Sequence, residues 1–127
     1  MNYNPYLQIA IKAALAGGKI VRQGFLKQKT VDYKRFADPV TEYDKKSEEI
    51  IVGVIQKKFS SHSILTEEEL STDHESNYLW IIDPIDGTVN FIHSIPFIAI
   101  SIALQIDGEL VLGVIYNPVL KELFYAV

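Results

Sequence analysis

The sequence predicts an α+β fold in which N-terminal α-helices pack on a mostly antiparallel β-sheet. Apolar and small side chains recur at helical spacing over residues 5–27 and again over 50–59. From residue 78 onward the pattern changes to apolar runs of strand length, and two of these runs meet at Asp107-Gly108, a strong hairpin signal. Helices followed by hairpin-connected strands indicate a single domain, which the length of 127 residues also suits.

The first helix is expected over residues 5–27, with a buried stripe made largely of small residues. Such a stripe allows close packing against another helix or a sheet. Gly17-Gly18 lowers the helix propensity but need not end the helix. The pair is not a dinucleotide-binding fingerprint, because no strand precedes it. The stripe consists of Ile9, Ala10, Ala13, Ala14, Gly17, Ile20, Val21 and Gly24.

The second helix is expected to begin near Thr41, after a polar loop or irregular hairpin over residues 28–40. Thr41 can cap the helix, and Asp44 completes a capping-box pattern. Beyond it we expect a turn at 60–63, a short strand at 64–66 and an exposed acidic loop at 67–77. The expected buried face of this helix is Ile50, Ile51, Val54, Ile55 and Phe59.

The remaining strands are expected at 78–82, 97–106 and 110–116, with another beginning at 123–127. The last of these is apolar and would leave a sheet edge open. An open edge invites pairing, either with further strands of a longer protein or with another chain.

Composition argues against several functional classes. The net charge of −4 gives no reason to expect general affinity for nucleic acid or an anionic membrane. The absence of cysteine excludes a disulfide scaffold, a thiolate zinc site and a cysteine nucleophile. No signal peptide and no membrane span are expected from the apolar runs. The default expectation is a cytoplasmic protein.

The segment that carries chemistry follows the strand expected at 78–82. Asp83 and Asp86 lie three positions apart at its end. Two carboxylates held so close repel each other unless a cation lies between them. With hard oxygen ligands that cation is best explained as Mg²⁺, with Mn²⁺ or Ca²⁺ as alternatives.

Gly87 and Thr88 add a second element, because free N–H groups at the start of a short helix can bind an anion. A metal site beside an anion site describes a phosphate-ester site. Taken alone, the segment could also be a plain turn rich in turn-forming residues. Glu67, which opens the acidic loop, and Asp38 and Asp44, near the second helix cap, favour the site.

Three blocks of the sequence resemble the signatures of the inositol monophosphatase family. Residues 80–93 resemble the family's first signature, and 38–44 resemble its Asp-x-Val-Thr-x-x-Asp block. Residues 61–68 resemble its strand followed by Glu-Glu. The resemblance implies the first half of a layered α/β/α/β/α sugar-phosphatase fold, so residues 1–127 would be one N-terminal metal- and phosphate-binding portion.

The resemblance also implies a Mg²⁺ site, of two or three ions when complete, with Mn²⁺ possible. Glu67, Asp83 and the carbonyl of Ile85 would hold the first ion, and Asp83 with Asp86 the second. Lithium would compete for one ion site. A lysine or arginine from the loop between the helices, Lys34 or Arg35, would help at a metal site.

For catalysis, the resemblance implies direct attack by a metal-activated water. Glu67 and Thr88 would position and deprotonate that water, with Asp44 supporting the Thr88 hydroxyl. Gly87 and Thr88 would contact the phosphate, and Glu67, Ile85 and Asp86 would also line the substrate site. The implied substrate is a small phosphorylated sugar or cyclitol, and the implied assembly is a homodimer.

Other functions stay open at this point. Fructose 1,6-bisphosphate, histidinol phosphate and nucleotide 3′-phosphates are alternative substrates within the fold. A non-catalytic module is the alternative of another class, since some bacterial relatives are accessory factors of transcription complexes. Because the family's second signature, with a further metal-binding aspartate, has no match here, we expect weak Mg²⁺ binding and little turnover from these 127 residues alone. His62, His74 and His93 do not share metal-ligand spacing and are expected to be structural or on the surface.

Overall fold

The computed structural model describes residues 1–35 and 38–127, and the side chains of Arg35 and Asp38 lie outside the description. The roles expected of those two side chains therefore lie outside it as well. The elements are α1 (Asn4–Gly24), β1 (Val31–Arg35), β2 (Asp38–Thr41), α2 (Glu42–Lys58), β3 (Ser63–Thr66), β4 (Tyr78–Asp86), α3 (Thr88–Ile92), β5 (Ala99–Ile106), β6 (Glu109–Asn117) and β7 (Glu122–Ala126).

Five strands form one sheet in the order β3-β4-β5-β6-β7. Strand β3 runs parallel to β4, and every other neighbouring pair in this sheet is antiparallel. The α+β arrangement with a mostly antiparallel sheet is therefore confirmed. Strands β1 and β2 form a separate hairpin, which is the irregular hairpin expected between the helices.

Both long helices pack on one face of the sheet, where alternate residues of the central strands β4, β5 and β6 are buried. In β5 these are Ile100, Ile102, Leu104 and Ile106, and Trp80 in β4 is fully buried beside them. The opposite face is more open and exposes Leu65, Ile115 and Phe124. None of the helices in the described residues combines the length and apolar character that a bilayer crossing requires.

Four expectations about the elements need correction. Helix α1 ends at Gly24 rather than at residue 27. Strand β4 continues past residue 82 to Asp86, with a register shift against β5 between Asp83 and Asp86. Strand β5 begins at Ala99 rather than at residue 97. Ile50, expected on the buried face of α2, is 39% exposed, because Ile51 and Ile55 face the core instead.

The small residues of α1 let it approach its neighbours closely, as the stripe predicts. A β-carbon placed on Gly17 would lie 2.8 Å from Cγ1 of Ile51 in α2. One placed on Gly18 would lie 2.4 Å from the ring of Tyr116 in β6. Gly18 is buried too, so the stripe is wider than the sequence pattern indicates. The two glycines set how closely α1 fits between α2 and the sheet.

We expect Gly17→Ala to destabilise the chain and Gly53→Ala to stabilise it. Both glycines lie inside helices, where alanine is favoured by about 1 kcal/mol. At Gly17 the added methyl overpacks the contact with Ile51 at a cost of about 1–3 kcal/mol, whereas at Gly53 a β-carbon meets nothing within 4 Å. Urea unfolding of both variants would measure the difference. Equal shifts of the same sign would contradict the close-packing interpretation.

Candidate metal and phosphate site

The candidate ligands meet at one edge of the sheet because β3 and β4 are parallel. Thr66 pairs with Ile82 in the register of these strands. Glu67 and Asp83 are the next residues of each chain segment, so they leave the paired stretch side by side. Asp86 follows at the end of β4. The topology therefore brings together three carboxylates that are separated by up to nineteen positions in the sequence.

The electrostatics of Asp83 show that these carboxylates influence one another. Burial raises the pKa of Asp83 to about 7, and the charges of Glu67 and Asp86 add to the rise. A hydrogen bond from the backbone of Ile85 opposes it. Asp83 is half-buried, while Glu67 and Asp86 are exposed. A negative charge is therefore unfavourable on Asp83, the group that the sequence places at the centre of the site.

The donor set fits Mg²⁺ in chemical type. Carboxylates and a backbone carbonyl are the hard oxygen ligands that this ion prefers, and a cation would relieve the repulsion around Asp83. Within the described residues, no three acidic or histidine side chains are gathered tightly enough to enclose an ion as they stand. Rotation of the exposed side chains of Glu67 and Asp86 would be needed to close the site.

Gly87 forms the turn that follows the carboxylates. Its backbone is left-handed, with φ of 92°, and a β-carbon here would lie 3.0 Å from the carbonyl oxygen of Phe97. Both observations require glycine. The short helix α3 begins immediately afterwards at Thr88. Its first N–H groups lack acceptors inside the helix by geometry, which leaves them available to an anion.

Thr88 is held by a buried carboxylate from another element. Its hydroxyl donates a hydrogen bond of 2.8 Å to Oδ1 of Asp44 in α2. The other oxygen of Asp44 accepts from the backbone N–H and the hydroxyl of Thr41, which completes the expected capping box. Burial raises the pKa of Asp44, and the hydrogen bonds from Thr41 and Thr88 oppose the rise. With its proton directed at Asp44, the Thr88 oxygen can accept a hydrogen bond from a water.

Two acidic residues near the site were missed by sequence reasoning. The Glu68 side chain is only 5% exposed and pairs with Lys34 at 3.2 Å, although it belongs to a run that resembles a solvated charge cluster. Burial raises the pKa of Glu68, and Lys34 opposes this. Glu48 is also buried in α2. Its position four residues after Asp44, on the same helical face, is a signal that could have identified it.

Lys34 lies at the rim of the acidic loop through its pair with Glu68. This places the β1–β2 hairpin next to the candidate ligands, although a direct part for Lys34 at a metal stays a prediction. A cleft of about 460 Å³ opens beside Asp86 and Gly87 and is also lined by Asn90 and Phe97. A larger cleft of about 590 Å³ near Ser63 includes none of the expected site residues.

The histidines take no part in this arrangement. His62 is buried, with its ring stacked between Phe59 and Tyr78. Its Nδ1 accepts a hydrogen bond of 3.0 Å from the indole N–H of Trp80, and burial lowers its pKa. His74 and His93 are exposed. His62 is thus part of the core, as its expected structural role requires.

Comparison with known proteins yields one consistent family. The family model described as "Inositol monophosphatase family" matches residues 2–127. Inositol monophosphatase 3 of Solanum lycopersicum is 41% identical over 126 residues, which are 94% of this chain and 46% of the relative. Nus factor SuhB of Pasteurella multocida is also 41% identical, over 98% of this chain and 48% of the relative. The chain spans about half the length of the curated relatives it matches.

Solved structures agree with these relatives. The extragenic suppressor protein suhB from Bartonella henselae superimposes with a TM-score of 0.92 at 38% identity, over 96% of this chain and 48% of that one. An IMPase/NADP phosphatase complexed with Mg²⁺ and phosphate superimposes with a TM-score of 0.75 at 28% identity, over 87% of this chain and 42% of that one.

Proposed function

Because the chain belongs to the inositol monophosphatase family, we propose that it is the metal- and phosphate-binding portion of a Mg²⁺-dependent phosphatase. The substrate would be a small phosphate monoester, either inositol 1-phosphate or a related sugar phosphate. We include in the proposal that residues 1–127 form one domain and that the protein is a cytoplasmic homodimer.

One observation carries the proposal. Glu67 and Asp83 directly follow the paired ends of the parallel strands β3 and β4, and Asp86 ends β4. Burial, with an added effect from the charges of Glu67 and Asp86, raises the pKa of Asp83. The hydrogen bond between Thr88 and Asp44 adds a polar pair next to these carboxylates. Carboxylates that need a cation, beside free amides that suit an anion, match the requirements of phosphate-ester hydrolysis.

The proposed roles follow from these positions. Glu67, Asp83 and the Ile85 carbonyl would hold a first Mg²⁺ ion, and Asp83 with Asp86 a second. When bound, these ions supply an acidified water and offset the charge of the phosphate. The amides of Gly87 and Thr88 would hold the phosphate oxygens.

The remaining residues would position the attacking water and accept its proton. Thr88 would accept a hydrogen bond from the water, and Asp44 would support the Thr88 hydroxyl. Glu67 would act as the base together with Thr88. The water oxygen would bond to phosphorus as the phosphorus–oxygen bond to the alcohol breaks. One proton of the attacking water would pass to the base, and the leaving oxygen would take up a proton from solvent, so that alcohol and inorganic phosphate leave. No phosphoenzyme is formed.

The direct test is release of inorganic phosphate from inositol 1-phosphate with and without Mg²⁺, with fructose 1,6-bisphosphate as the alternative substrate. We expect release that depends on Mg²⁺ and is inhibited by Li⁺. Release that is unaffected by chelation would contradict the proposal. For residues 1–127 alone we expect weak Mg²⁺ binding and little turnover, since the family's further aspartate is not among them.

In a protein that also contains the family's further aspartate, Thr88→Val should lower the rate of phosphate release by roughly 10²- to 10⁴-fold, the range typical of a lost acid–base group. Valine has the shape of threonine but can neither donate to Asp44 nor accept from water. Thr88→Ser keeps the hydroxyl and should retain most of the activity. The measurement is kcat at saturating Mg²⁺. Equal rates in the valine and serine variants would show that the hydroxyl plays no part.

A second candidate function is a non-catalytic assembly module, and the similarity to Nus factor SuhB favours it. The two candidates differ in what a metal-site variant should do. Asp83→Asn should abolish phosphate release, whereas a module that acts only through binding would keep its partner. Partner binding without metal and without turnover would support the module.

A further inference from the structure

Helix α2 carries three buried polar residues on one face. Asp44, Ser47 and Glu48 are spaced by three and four positions, which aligns them along the helix. Each is no more than 1% exposed. Each bonds to a different segment of the candidate site, so this single face of α2 contacts three of its segments.

Glu48 holds the loop that contains Glu67. Its Oε1 accepts the backbone N–H of Glu68 at 3.0 Å, and its Oε2 accepts those of Glu69 at 2.8 Å and Leu70 at 3.2 Å. Hydrogen bonds to an ionised carboxylate are roughly twice as strong as neutral ones. Three successive amides are therefore fixed immediately after the residue expected to bind the metal.

Ser47 bonds to the second segment that carries expected metal ligands, the one around Pro84. Its hydroxyl donates a hydrogen bond of 3.1 Å to the carbonyl of Pro84. Pro84 lies between Asp83 and Ile85, which supply two of the expected oxygen ligands. Ser47 and Glu48 thus connect the two ligand segments through adjacent residues of one helix, which sets the distance between them.

A buried carboxylate is costly, and the loop above Glu48 is itself acidic at positions 67–69. Adding a negative charge beneath three others does not improve charge balance. The gain lies in geometry, because two carboxylate oxygens can fix three amides in one orientation, which a shorter or neutral side chain cannot do.

We propose that Glu48 is a positioning residue, which orients the 67–70 loop so that Glu67 faces Asp83 and thereby sets the affinity for the divalent cation. The inference rests on the proposed function, since it assigns a residue that supports the same metal site. It concerns binding geometry and does not require Glu48 to touch the metal or the substrate.

The test compares Glu48→Gln with Glu49→Gln in the 127-residue chain. Glu49 is the next residue of the same helix and is exposed. The amides of residues 68–70 donate to Glu48 rather than to Glu49, so the Glu49 variant makes the same charge change and leaves these hydrogen bonds in place. Mn²⁺ binding is measured by electron paramagnetic resonance, and hydrogen exchange is measured at the amides of residues 68–70. Glu48→Asp, which keeps the charge one methylene further back, serves as the second variant if Glu48→Gln does not fold.

We expect Glu48→Gln to weaken Mn²⁺ binding by about tenfold, the lower end of the range for residues that orient a metal ligand without binding the metal themselves. The amides of 68–70 should exchange faster, and Glu49→Gln should change neither quantity. Glu48→Asp should be intermediate in both.

Unchanged Mn²⁺ affinity in Glu48→Gln would overturn the positioning role alone, whatever happens to the exchange rates. Weaker binding with unchanged exchange would also overturn it, because the loop would not be the route of the effect. Absence of Mn²⁺ binding to the parent chain, equal to that of Asp83→Asn, would overturn the proposed function together with this inference.

Discussion

Asp83→Asn should abolish divalent-cation binding and at the same time stabilise the metal-free chain. Asp83 is shared by both proposed ions, so its loss should weaken Mn²⁺ binding by more than roughly a hundredfold, beyond the 10- to 100-fold cost of changes outside the ligand set. Stability should move the other way, because the asparagine removes a charge that burial, Glu67 and Asp86 all disfavour. A gain in stability together with a loss of Mn²⁺ binding would distinguish a functional carboxylate from a structural one.

The stability gain should be on the order of 1–2 kcal/mol at pH 8, after allowance for screening by solvent around this half-buried group. Urea unfolding in the presence of a chelator would measure it. Asp107→Asn is a suitable control, since Asp107 lies at a hairpin turn with φ of 51°, a conformation that asparagine also tolerates. Destabilisation by Asp83→Asn, with Mn²⁺ binding retained, would contradict both the burial argument and the metal assignment.

Metal affinity should rise steeply with pH up to about 7. Only ionised Asp83 binds a cation well, and its pKa in the folded chain is raised to about 7. Between pH 5 and 7 the binding constant for Mn²⁺ should therefore increase about tenfold for each pH unit and then level off. Binding at pH 6 should release close to one proton, which calorimetry in buffers of different ionisation enthalpy would detect. A flat affinity over this range would show that Asp83 is already ionised.

The raised pKa of Asp83 also affects the stability of the metal-free chain. When the pKa of a carboxyl is higher in the folded chain than in the unfolded chain, its contribution to stability is full at pH values below the unfolded pKa. That contribution is lost as the pH rises through the folded pKa. The Asp83 contribution should therefore decline from about pH 4 to about pH 7. Other groups titrate in this window, so the relevant quantity is the difference between the parent chain and Asp83→Asn.

Local signals were sufficient to predict most of the secondary structure. The Thr41–Asp44 capping box, the Asp107-Gly108 hairpin and the small-residue stripe of α1 each depend on neighbours within a few positions. The ends of the strands were less predictable. Strand β4 continues through Pro84 to Asp86 because β5 pairs with it across a bulge, and no local pattern encodes that pairing.

The residues of the candidate site could be named from the sequence, and their roles stay predictions, whereas the residues that hold them in place could not all be named. The pattern around Asp83 and Asp86 indicated a cation, whereas the approach of Glu67 depends on β3 pairing in parallel with β4, a long-range contact. Glu48 and Glu68 were overlooked for a related reason. In a sequence, a buried glutamate in an acidic run, such as Glu68, looks the same as a solvated one. For Glu48 the sequence contains one signal, its position four residues after Asp44 on the same helical face.

The close packing of α1 on α2 at Gly17 also involves a residue that contacts the candidate site. A β-carbon on Gly17 would also lie 3.0 Å from the hydroxyl of Ser47, which holds the Pro84 carbonyl. The spacing between α1 and α2 is thus connected to the segment of the proposed ligands through the side chain of Ser47. If the proposed metal site is correct, substitutions that change the spacing of the two helices at Gly17 should also change the affinity for the cation, although none of them lies near the proposed ligands.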